Sequence, residues 1–372
     1  MSHPRVRVGL VSPAGPPAPL VALQVRLARL ARLDSLMVPD HLQSPFPEAL
    51  WPEMTWLRGS SAHSMFDYAA TLGWVAARAG RMRVGVSVTD PIRRHPVVVA
   101  QTMLTLSHLT RGAPILGIGS GERENLEPYG LPTDHGFGRL QEAVHILRDA
   151  LAGRLGDFEG EYYQLRGAVM GLQAPLGRTP EIWIGAHGPR MLELTGRFGD
   201  GWLPTVVSSP EDYGQMWQAV RAAAVRAGRS PEAITAGLAC YLLLARDERE
   251  VRTLLRSQMV RYLALMAPAG AWAKVGADHP LGPRFGGFVD MLPERLDPGV
   301  TREAMRSVPE EVAAVGVMVG TPDDVVTRVR ALAEAGLNHF SPVLLSGLVS
   351  RGNALHDMHA YPAIARRLRS GR

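Results

Sequence analysis

Apolar runs and polar segments alternate along most of this chain in a way that predicts strands followed by helices. The pattern is clearest around Val84–Glu127. There the β-branched run Met82–Val88 precedes a polar turn, an apolar helix over Val97–Leu109 and a second strand over Ala113–Gly119. Pro96 suits the first turn of that helix, where its missing N–H is not needed. A strand, a helix and a strand in about forty residues predict a βαβ unit, whose parallel strands end at the same edge.

The same pattern predicts eight strands, most of them followed by helices. The predicted strands are Val6–Val11, Ser35–His41, Met82–Val88, Ala113–Gly119, Pro180–Ala186, Gly201–Thr205, Ala236–Ala245 and Asn338–Leu345. The other predicted helices are Leu20–Leu33, Met65–Arg78, Phe137–Leu151, His187–Asp200, Pro210–Ala227, Asp247–Leu265, Thr321–Gly336 and Asn353–Arg369, and Asp157–Gly167 reads as a hairpin. This α/β alternation favours a (β/α)8 TIM barrel over a doubly wound sheet.

The length of the chain fits one large barrel domain that carries insertions. We expect residues 1–372 to form that single domain, because no segment has the composition of an interdomain linker. The excess over the roughly 250 residues of a plain barrel falls in loop-rich segments at about 42–64, 157–180 and 266–312. We expect these insertions at the C-terminal mouth of the barrel.

Composition excludes several classes of partner. Lys+Arg number 40 against 35 Asp+Glu, and the net charge of +5 is spread along the chain, so nothing indicates nucleic-acid binding. The single cysteine, Cys240, lies in an apolar run, which predicts a buried thiol and suits a reducing cytoplasm. Neither a signal peptide nor an apolar run of about 18 residues is present, so we expect no transmembrane segment.

Polar residues directly after the strands are the candidates for chemistry, because barrel enzymes act at that end. They are Asp40 and His41, then Ser87 to Arg94 with Thr89 and Asp90, then Ser120 to Asn125, and finally His187 with Gly188. Any one of them alone reads more simply as a helix cap or a turn. Four adjacent strand ends that carry such residues together indicate a site.

Two glycine-rich turns indicate a cofactor that lies across neighbouring strands. Gly117–Glu122 reads G-x-G-x-G after the fourth strand, which is a weak match to the dinucleotide fingerprint G-x-G-x-x-G after a first strand. Its glycines permit close approach of a flat or phosphorylated ligand, and we expect a following helix to offer its positive end. Ala186–Met191 forms a second such turn. We find no metal-ligand spacing, no G-x-S-x-G and no P-loop.

A family resemblance follows from five segments that occur in order. They read SLMVPDH, VGVSVTDPIRRHPVVVAQ, ILGIGSGERENLEPYG, IWIGAHGPRMLELTGRFGDGWLP and GTPDDVVTRVRALAEAGLNHF. In them the chain resembles the bacterial luciferase-like superfamily, and more narrowly its branch dependent on the deazaflavin coenzyme F420. The stretches AHGPRML and GAWAKVGADHPLG are most similar to the mycobacterial phthiodiolone dimycocerosate ketoreductases, which reduce a keto group on a long wax lipid.

The resemblance implies a deazaflavin at the C-terminal mouth of a homodimeric barrel protein. It implies a non-prolyl cis peptide at Ser87–Val88 that backs the ring, with Thr89 and Asp90 beside it. The remaining implied roles are a hydrogen bond from Asp40 to the ring, proximity of Gly121 and Asn125 to the cofactor, and phosphate binding by backbone N–H groups of Gly185, Ala186, His187, Gly188 and Pro189. His41 would be the active-site histidine and Glu122 a proton donor or acceptor, because ketone reduction needs an acid near the oxygen.

Three hypotheses of function remain open from the sequence. The first is an F420-dependent oxidoreductase that interconverts a carbonyl and an alcohol on a small-molecule or lipid-like, largely apolar substrate. The apolar substrate rests on eight insertion residues that could equally pack the insertions: Phe46, Leu50, Trp51, Trp56, Trp272, Phe285, Phe288 and Met291. The second is an FMN-dependent monooxygenase, and the third is a non-catalytic ligand-binding barrel. The pairs Asp40–His41 and Gly121–Glu122 argue against the third. A lysine-free LPTVVSSPED loop argues against a sugar phosphate.

Overall fold

Strand pairing closes a parallel barrel in the computed structural model, which describes residues 3–207, 209–314 and 316–371. In that part of the chain the barrel strands are β1 (Arg7–Val11), β2 (Ser35–Val38), β3 (Arg83–Thr89), β4 (Ile115–Ile118), β5 (Glu181–Ile184), β6 (Gly201–Trp202), β7 (Thr235–Leu238 and Tyr241–Leu244) and β8 (His339–Phe340 and Val343–Leu344). Each pairs in parallel with the next, and β8 pairs with β1. The predicted (β/α)8 barrel is therefore confirmed.

Helices surround this barrel and follow most of its strands. The longer ones are Ala18–Leu30, Tyr68–Ala79, Pro96–Leu109, Gly136–Leu151, Pro189–Phe198, Pro210–Arg226, Pro322–Glu334 and Arg351–Ser370. Shorter ones are Trp51–Met54, Glu248–Leu255, Gln258–Leu265, Ala269–Ala273, Pro298–Arg306, Glu310–Ala313 and Ser346–Val349, with single 3₁₀ turns at Arg123–Asn125, Glu127–Tyr129, Pro231–Ala233, Gly287–Asp290 and Pro293–Arg295. Proline opens several helices in the first turn, and the Asp67, Ser209 and Thr321 side chains cap others. None of the helices in the described ranges is long and apolar enough to span a membrane.

The burial of the strands, and the close approach of β4 to β3 at Gly117, show why these residues form a barrel. All four residues of β2 and of β4 are buried, as strands covered on both faces require. A side chain at Gly117 would place its Cβ 2.3 Å from the carbonyl oxygen of Val86, so only glycine fits there. Strands β3 and β4 can therefore approach closely at the point where the candidate site begins.

The structure divides two elements that the sequence predicted as continuous and adds one strand that it did not predict. The predicted strand Ala236–Ala245 is broken at Ala239–Cys240, and its second half pairs with the second half of β8. That second half also pairs with Val317–Gly320, an additional strand that the sequence analysis missed. The predicted helix Asp247–Leu265 divides because the Ser257 side chain caps a new helix by accepting from the N–H of Val260.

The insertions near 42–64 and 266–312, here called the mouth insertions, pack against each other. Their apolar side chains form a second hydrophobic cluster with the helices Glu248–Leu255 and Gln258–Leu265. The Tyr262 hydroxyl donates to the Pro45 carbonyl at 2.7 Å, which ties the first insertion to the helix Gln258–Leu265. The remaining predicted insertion, at 157–180, contains the expected hairpin, in which Phe158–Glu159 pairs with Gln164–Leu165.

Candidate active site

An arginine after β3 joins two of the predicted site carboxylates. Arg93 donates to the Asp40 carboxylate at 3.2 Å and to the Asp40 carbonyl oxygen at 2.7 Å, and it also pairs with Asp90. Thr89 donates to the other oxygen of Asp40 at 2.7 Å. Burial acts to lower the pKa of Arg93, but Asp90 and Asp40 outweigh it and raise that pKa. Both carboxylate oxygens of Asp40 are therefore bound by residues of β3 and of the loop after it. These contacts anchor the chain next to His41.

His41 accepts a hydrogen bond from the amide of Asn125. The distance from Asn125 Nδ2 to His41 Nδ1 is 2.8 Å. The amide orientation is set by its oxygen, which accepts from the N–H of Leu42 at 2.7 Å and from that of Gln43 at 3.4 Å. Because Nδ1 of His41 is then an acceptor, a neutral ring carries its proton on Nε2. The resemblance implied that Asn125 lies near the cofactor. The structure shows in addition that Asn125 orients the His41 ring.

Two glutamates lie beside the same histidine nitrogen. Glu122 Oε2 is 3.7 Å and Glu124 Oε1 is 3.8 Å from His41 Nδ1. Asn125 Nδ2 lies 3.5 Å from the first of these oxygens and 3.3 Å from the second. Glu124 is fully buried, although the sequence EREN gave no reason to single it out. Burial, followed by the adjacent Glu122, raises the pKa of Glu124 well above its usual range.

His41, Glu122 and Glu124 have side chains of the types that can bind a metal ion, although the sequence spacing had not indicated a metal site. Their ligand atoms lie within 4.8 Å of one another. The Asn125 amide nitrogen, however, lies among them, between 2.8 and 3.5 Å from an acceptor atom of each, where a cation would otherwise interact. His41, Glu122 and Glu124 therefore form a hydrogen-bonded group around Asn125.

The peptide between Ser87 and Val88 is cis, as the resemblance implied. The β3–β4 register shifts between Val86 and Thr89, so the chain bulges at this point. Val88 packs on side chains inside the barrel that include Met37, Ile115, Trp183 and Leu203. The bulge thus forms a partly exposed apolar shelf above a filled barrel interior.

The loop after β4 differs from the sequence expectation. Gly121 has φ +93°, and the segment after it forms single 3₁₀ turns instead of a helix. No regular helix therefore directs its N-terminus at a ligand here. The loop instead turns inward, which explains how Glu124 and Asn125 come to be buried.

The turn after β5 fits a phosphate group, with two corrections to the residues expected to bind it. Gly188 precedes the helix Pro189–Phe198, and no described side chain caps that N-terminus. A Cβ at Gly188 would meet no atom within 4 Å, so the space above it is open. The N–H of Gly185, however, donates to the Ile118 carbonyl at 3.0 Å, and Pro189 has no N–H. Among the described residues of this turn, the N–H groups that make no hydrogen bond within the protein are those of Ala186, His187 and Gly188, together with Arg190 and Met191 in the first turn of the helix.

His187 is held in the same turn by backbone donors. Its Nε2 accepts from the N–H groups of Thr205 and Val206 at 3.1 and 3.2 Å. His187 is an exposed residue, yet the protein atoms around its ring desolvate the imidazole, and this lowers the pKa of His187 to about 4. The ring is therefore neutral at neutral pH and presents Nδ1–H. Ala186 is fixed beside it, because its carbonyl accepts from the Trp202 indole at 2.9 Å.

The aromatic residues of the mouth insertions mostly pack the insertions themselves. Phe46, Leu50, Trp51, Trp272 and Met291 are buried in the second hydrophobic cluster, and Phe285 and Phe288 pack against it. Of the eight residues taken as evidence for an apolar substrate, only Trp56, with 39% exposure, is exposed. Leu42, 48% exposed and adjacent to His41, is a better indication of an apolar mouth, and the sequence analysis did not single it out.

Comparison with known proteins identifies the family of this chain. The model of the family described as luciferase-like monooxygenase matches residues 1–339. Phthiodiolone/phenolphthiodiolone dimycocerosates ketoreductase of Mycobacterium kansasii is 38% identical over 84% of this chain and 87% of its own length.

Two solved structures share the fold. The coenzyme F420 dependent tetrahydromethanopterin reductase of Methanopyrus kandleri superposes with a TM-score of 0.74 at 20% identity, covering 97% of this chain and 100% of that one. An F420-dependent secondary alcohol dehydrogenase in complex with an F420-acetone adduct gives 0.73 at 19% identity, covering 97% and 99%.

Proposed function

The chain belongs to the luciferase-like monooxygenase family, and from that premise we propose that it is a coenzyme F420-dependent oxidoreductase acting on a ketone. The name of the M. kansasii relative, a ketoreductase, supports this reaction. The two structural neighbours are F420-dependent enzymes, which supports the deazaflavin over FMN. The direction we propose is reduction of the carbonyl to the alcohol.

The observation that carries the proposal is the hydrogen-bonded set of His41, Asn125 and Glu122 at the same mouth as the Val88 shelf. Ketone reduction places negative charge on the oxygen, so donors must lie beside it. His41 offers Nε2–H for that oxygen, and Glu122, one-third exposed, offers a proton from the opening.

The residues present also fit the cofactor. When bound, a deazaflavin supplies a hydride, and the protein supplies orientation and the proton. Ser87 and Val88 would support the ring, with Asp40, Thr89, Asp90 and Gly121 shaping the surrounding loops. The open helix N-terminus at Gly188, with Ala186 and His187, would hold a phosphate group.

We propose a largely apolar, lipid-like substrate on narrower grounds. Leu42, next to His41 in the chain, and Trp56 in the same insertion both expose apolar surface, and the substrate named for the mycobacterial relative is a lipid. The protein would work as a homodimer in the cytoplasm, and light scattering and cell fractionation test those two points.

Titration with both cofactors tests the proposal most directly. We expect tight binding of F420 and negligible binding of FMN, followed by oxidation of reduced F420 in the presence of a long-chain ketone. Acetone serves as the short probe and should turn over with a much higher KM, because it buries less apolar surface. The reverse cofactor preference would select the FMN monooxygenase, and binding of neither would select the non-catalytic barrel.

A further inference from the structure

The side-chain nitrogen of Asn125 has more hydrogen-bond acceptors around it than it has hydrogens to donate. Its oxygen is taken by the N–H groups of Leu42 and Gln43, so its two N–H hydrogens face the mouth. Three acceptors surround that nitrogen: His41 Nδ1 at 2.8 Å, Glu124 Oε1 at 3.3 Å and Glu122 Oε2 at 3.5 Å. Two hydrogens cannot serve three acceptors. At least one acceptor must therefore be solvated or share a further proton, and for a buried acceptor a protonated carboxyl is the natural solution.

Glu124 is the carboxyl least able to remain charged. It is 0% exposed, and its Oε2 has no hydrogen-bond partner among the described residues. A buried carboxylate without a partner is costly, and the group avoids that cost by taking up a proton. Glu122 differs, because its side chain is 32% exposed and can be solvated as an anion.

The groups that face Glu124 from other elements do not neutralise it. Arg93 from the loop after β3 is already paired with Asp40 and Asp90. Tyr241 of β7 and Tyr262 of the helix Gln258–Leu265 face it as neutral phenols, because burial, and then the nearby carboxylates, raise the pKa of both. His41 is also near, yet Asn125 already occupies its Nδ1.

We propose that Glu124 is a positioning residue that holds a neutral carboxyl against Glu122 and resupplies the proton that Glu122 gives to the substrate oxygen. This inference rests on the proposed function. As the carbonyl carbon accepts a hydride, one proton with two electrons, the C=O bond becomes single. The Glu124 proton passes to the Glu122 carboxylate and from there to the substrate oxygen, which leaves both carboxyls ionised. The exposed Glu122 then takes a proton from water and returns it to Glu124.

Infrared spectroscopy of the protein without any added cofactor tests the neutral carboxyl directly. At pH 7 we expect a carbonyl band of a protonated carboxylic acid that is absent in Glu124→Gln. Glu127→Gln is the matched control, because Glu127 lies three residues on and pairs with Arg123 and Arg295 away from His41. The band should persist in that control. Absence of the band from the wild-type protein, or its survival in Glu124→Gln, would overturn the proposal.

A second variant keeps the test decisive if Glu124→Gln does not fold. Removing the neighbouring negative charge in Glu122→Gln should allow Glu124 to ionise at a pH about one unit lower or more. A band that titrates at the wild-type pH in Glu122→Gln would show that the two carboxyls are independent, contrary to the proposal.

Turnover tests the resupply step separately. With reduced F420 and acetone as the probe, Glu124→Gln should lower kcat about tenfold or more and shift the pH profile, while KM and F420 affinity stay within about threefold. Wild-type kcat and pH profile in that variant would overturn the resupply role. Failure of the wild-type protein to bind F420 would instead contradict the proposed function, and the infrared band would still report on Glu124.

Discussion

Asn125 donates to Nδ1 of His41 across 2.8 Å, although the two residues are 84 positions apart in the chain. The contact links the loop after β2 to the loop after β4 across the end of β3. Its geometry is fixed from behind, since backbone N–H groups of the His41 loop donate to the Asn125 oxygen. One side chain therefore sets both the tautomer of His41 and the spacing of the two loops.

We expect Asn125→Ala to damage turnover and stability together. The N–H groups of Leu42 and Gln43 would lose their acceptor, which costs about 1–3 kcal/mol of the free energy of unfolding. Turnover should fall about tenfold or more, because His41 loses the contact that fixes its tautomer. Urea unfolding and kcat with reduced F420 measure the two effects. The control Asn338→Ala removes a contact to Arg7 at the opposite end of β1 and should leave kcat unchanged.

His41→Ala and Glu122→Gln should each reduce turnover at least about a hundredfold, as expected when the proton donor is removed. F420 affinity should change less than about tenfold, because the phosphate turn and the Val88 shelf remain intact. Stopped-flow measurement of hydride transfer and fluorescence titration separate the two quantities. His108→Ala, whose ring only contacts the Gln173 carbonyl on the surface, is the control. If both variants reduce substrate at near wild-type rates, the acid has been assigned wrongly.

Gly188→Val should weaken F420 binding at least about tenfold, or about 1.4 kcal/mol. A β-branched side chain would fill the open space above the uncapped helix N-terminus without touching the protein itself. The fold should therefore survive, and isothermal titration with F420 measures the loss. Gly171→Val, also in open space but in the hairpin insertion, is the control. Unchanged affinity in folded Gly188→Val would show that the phosphate lies elsewhere.

Asp357 should make the stability of the protein depend on pH. Burial raises its pKa to about 6, although Ser346 and the Gly347 N–H donate to its carboxyl. The folded state then binds more protons than the unfolded state between about pH 4 and pH 6, so the free energy of unfolding falls as pH rises through that window.

Urea unfolding at pH 4.5 and pH 7 measures that dependence. Asp357→Asn should remove roughly 2 kcal/mol of the difference between the two pH values. The control Asp323→Asn, an exposed partner of Arg367, should keep the wild-type difference. An identical pH difference in wild type and Asp357→Asn would contradict the prediction.

The barrel could be predicted from the sequence because each buried strand is a short apolar run bounded by polar or glycine-rich residues. The same logic failed where no polar residue marks a break. Ala239 and Cys240 are as apolar as their neighbours, so the interruption of β7 cannot be read from the pattern. Val317–Gly320 was missed because four residues beside an irregular segment show too little alternation to stand out.

The site could be predicted as far as its strand ends. His41, Glu122 and Gly188 follow from motif position, since parallel strands deliver their C-terminal ends to one mouth, and the cis peptide follows from the family resemblance. Glu124 could not be found this way, because a glutamate in EREN reads as solvated surface. Its burial results from the positive φ at Gly121 and the 3₁₀ turns after it, which depend on tertiary packing.

The mouth insertions have a hydrophobic core of their own, and Glu294 ties them together through the Glu48 N–H and the His63 ring. Their aromatic side chains stabilise that core, so few of them are available to a substrate. On the proposed function, selectivity for the organic partner would therefore reside in a block separate from the side chains that deliver the proton. A graft of both insertions as one block, with Leu42 and Gln43 retained, would change which molecules reach the mouth while leaving His41, Asn125 and Glu122 in place. Exchange of either insertion alone would expose the core they share.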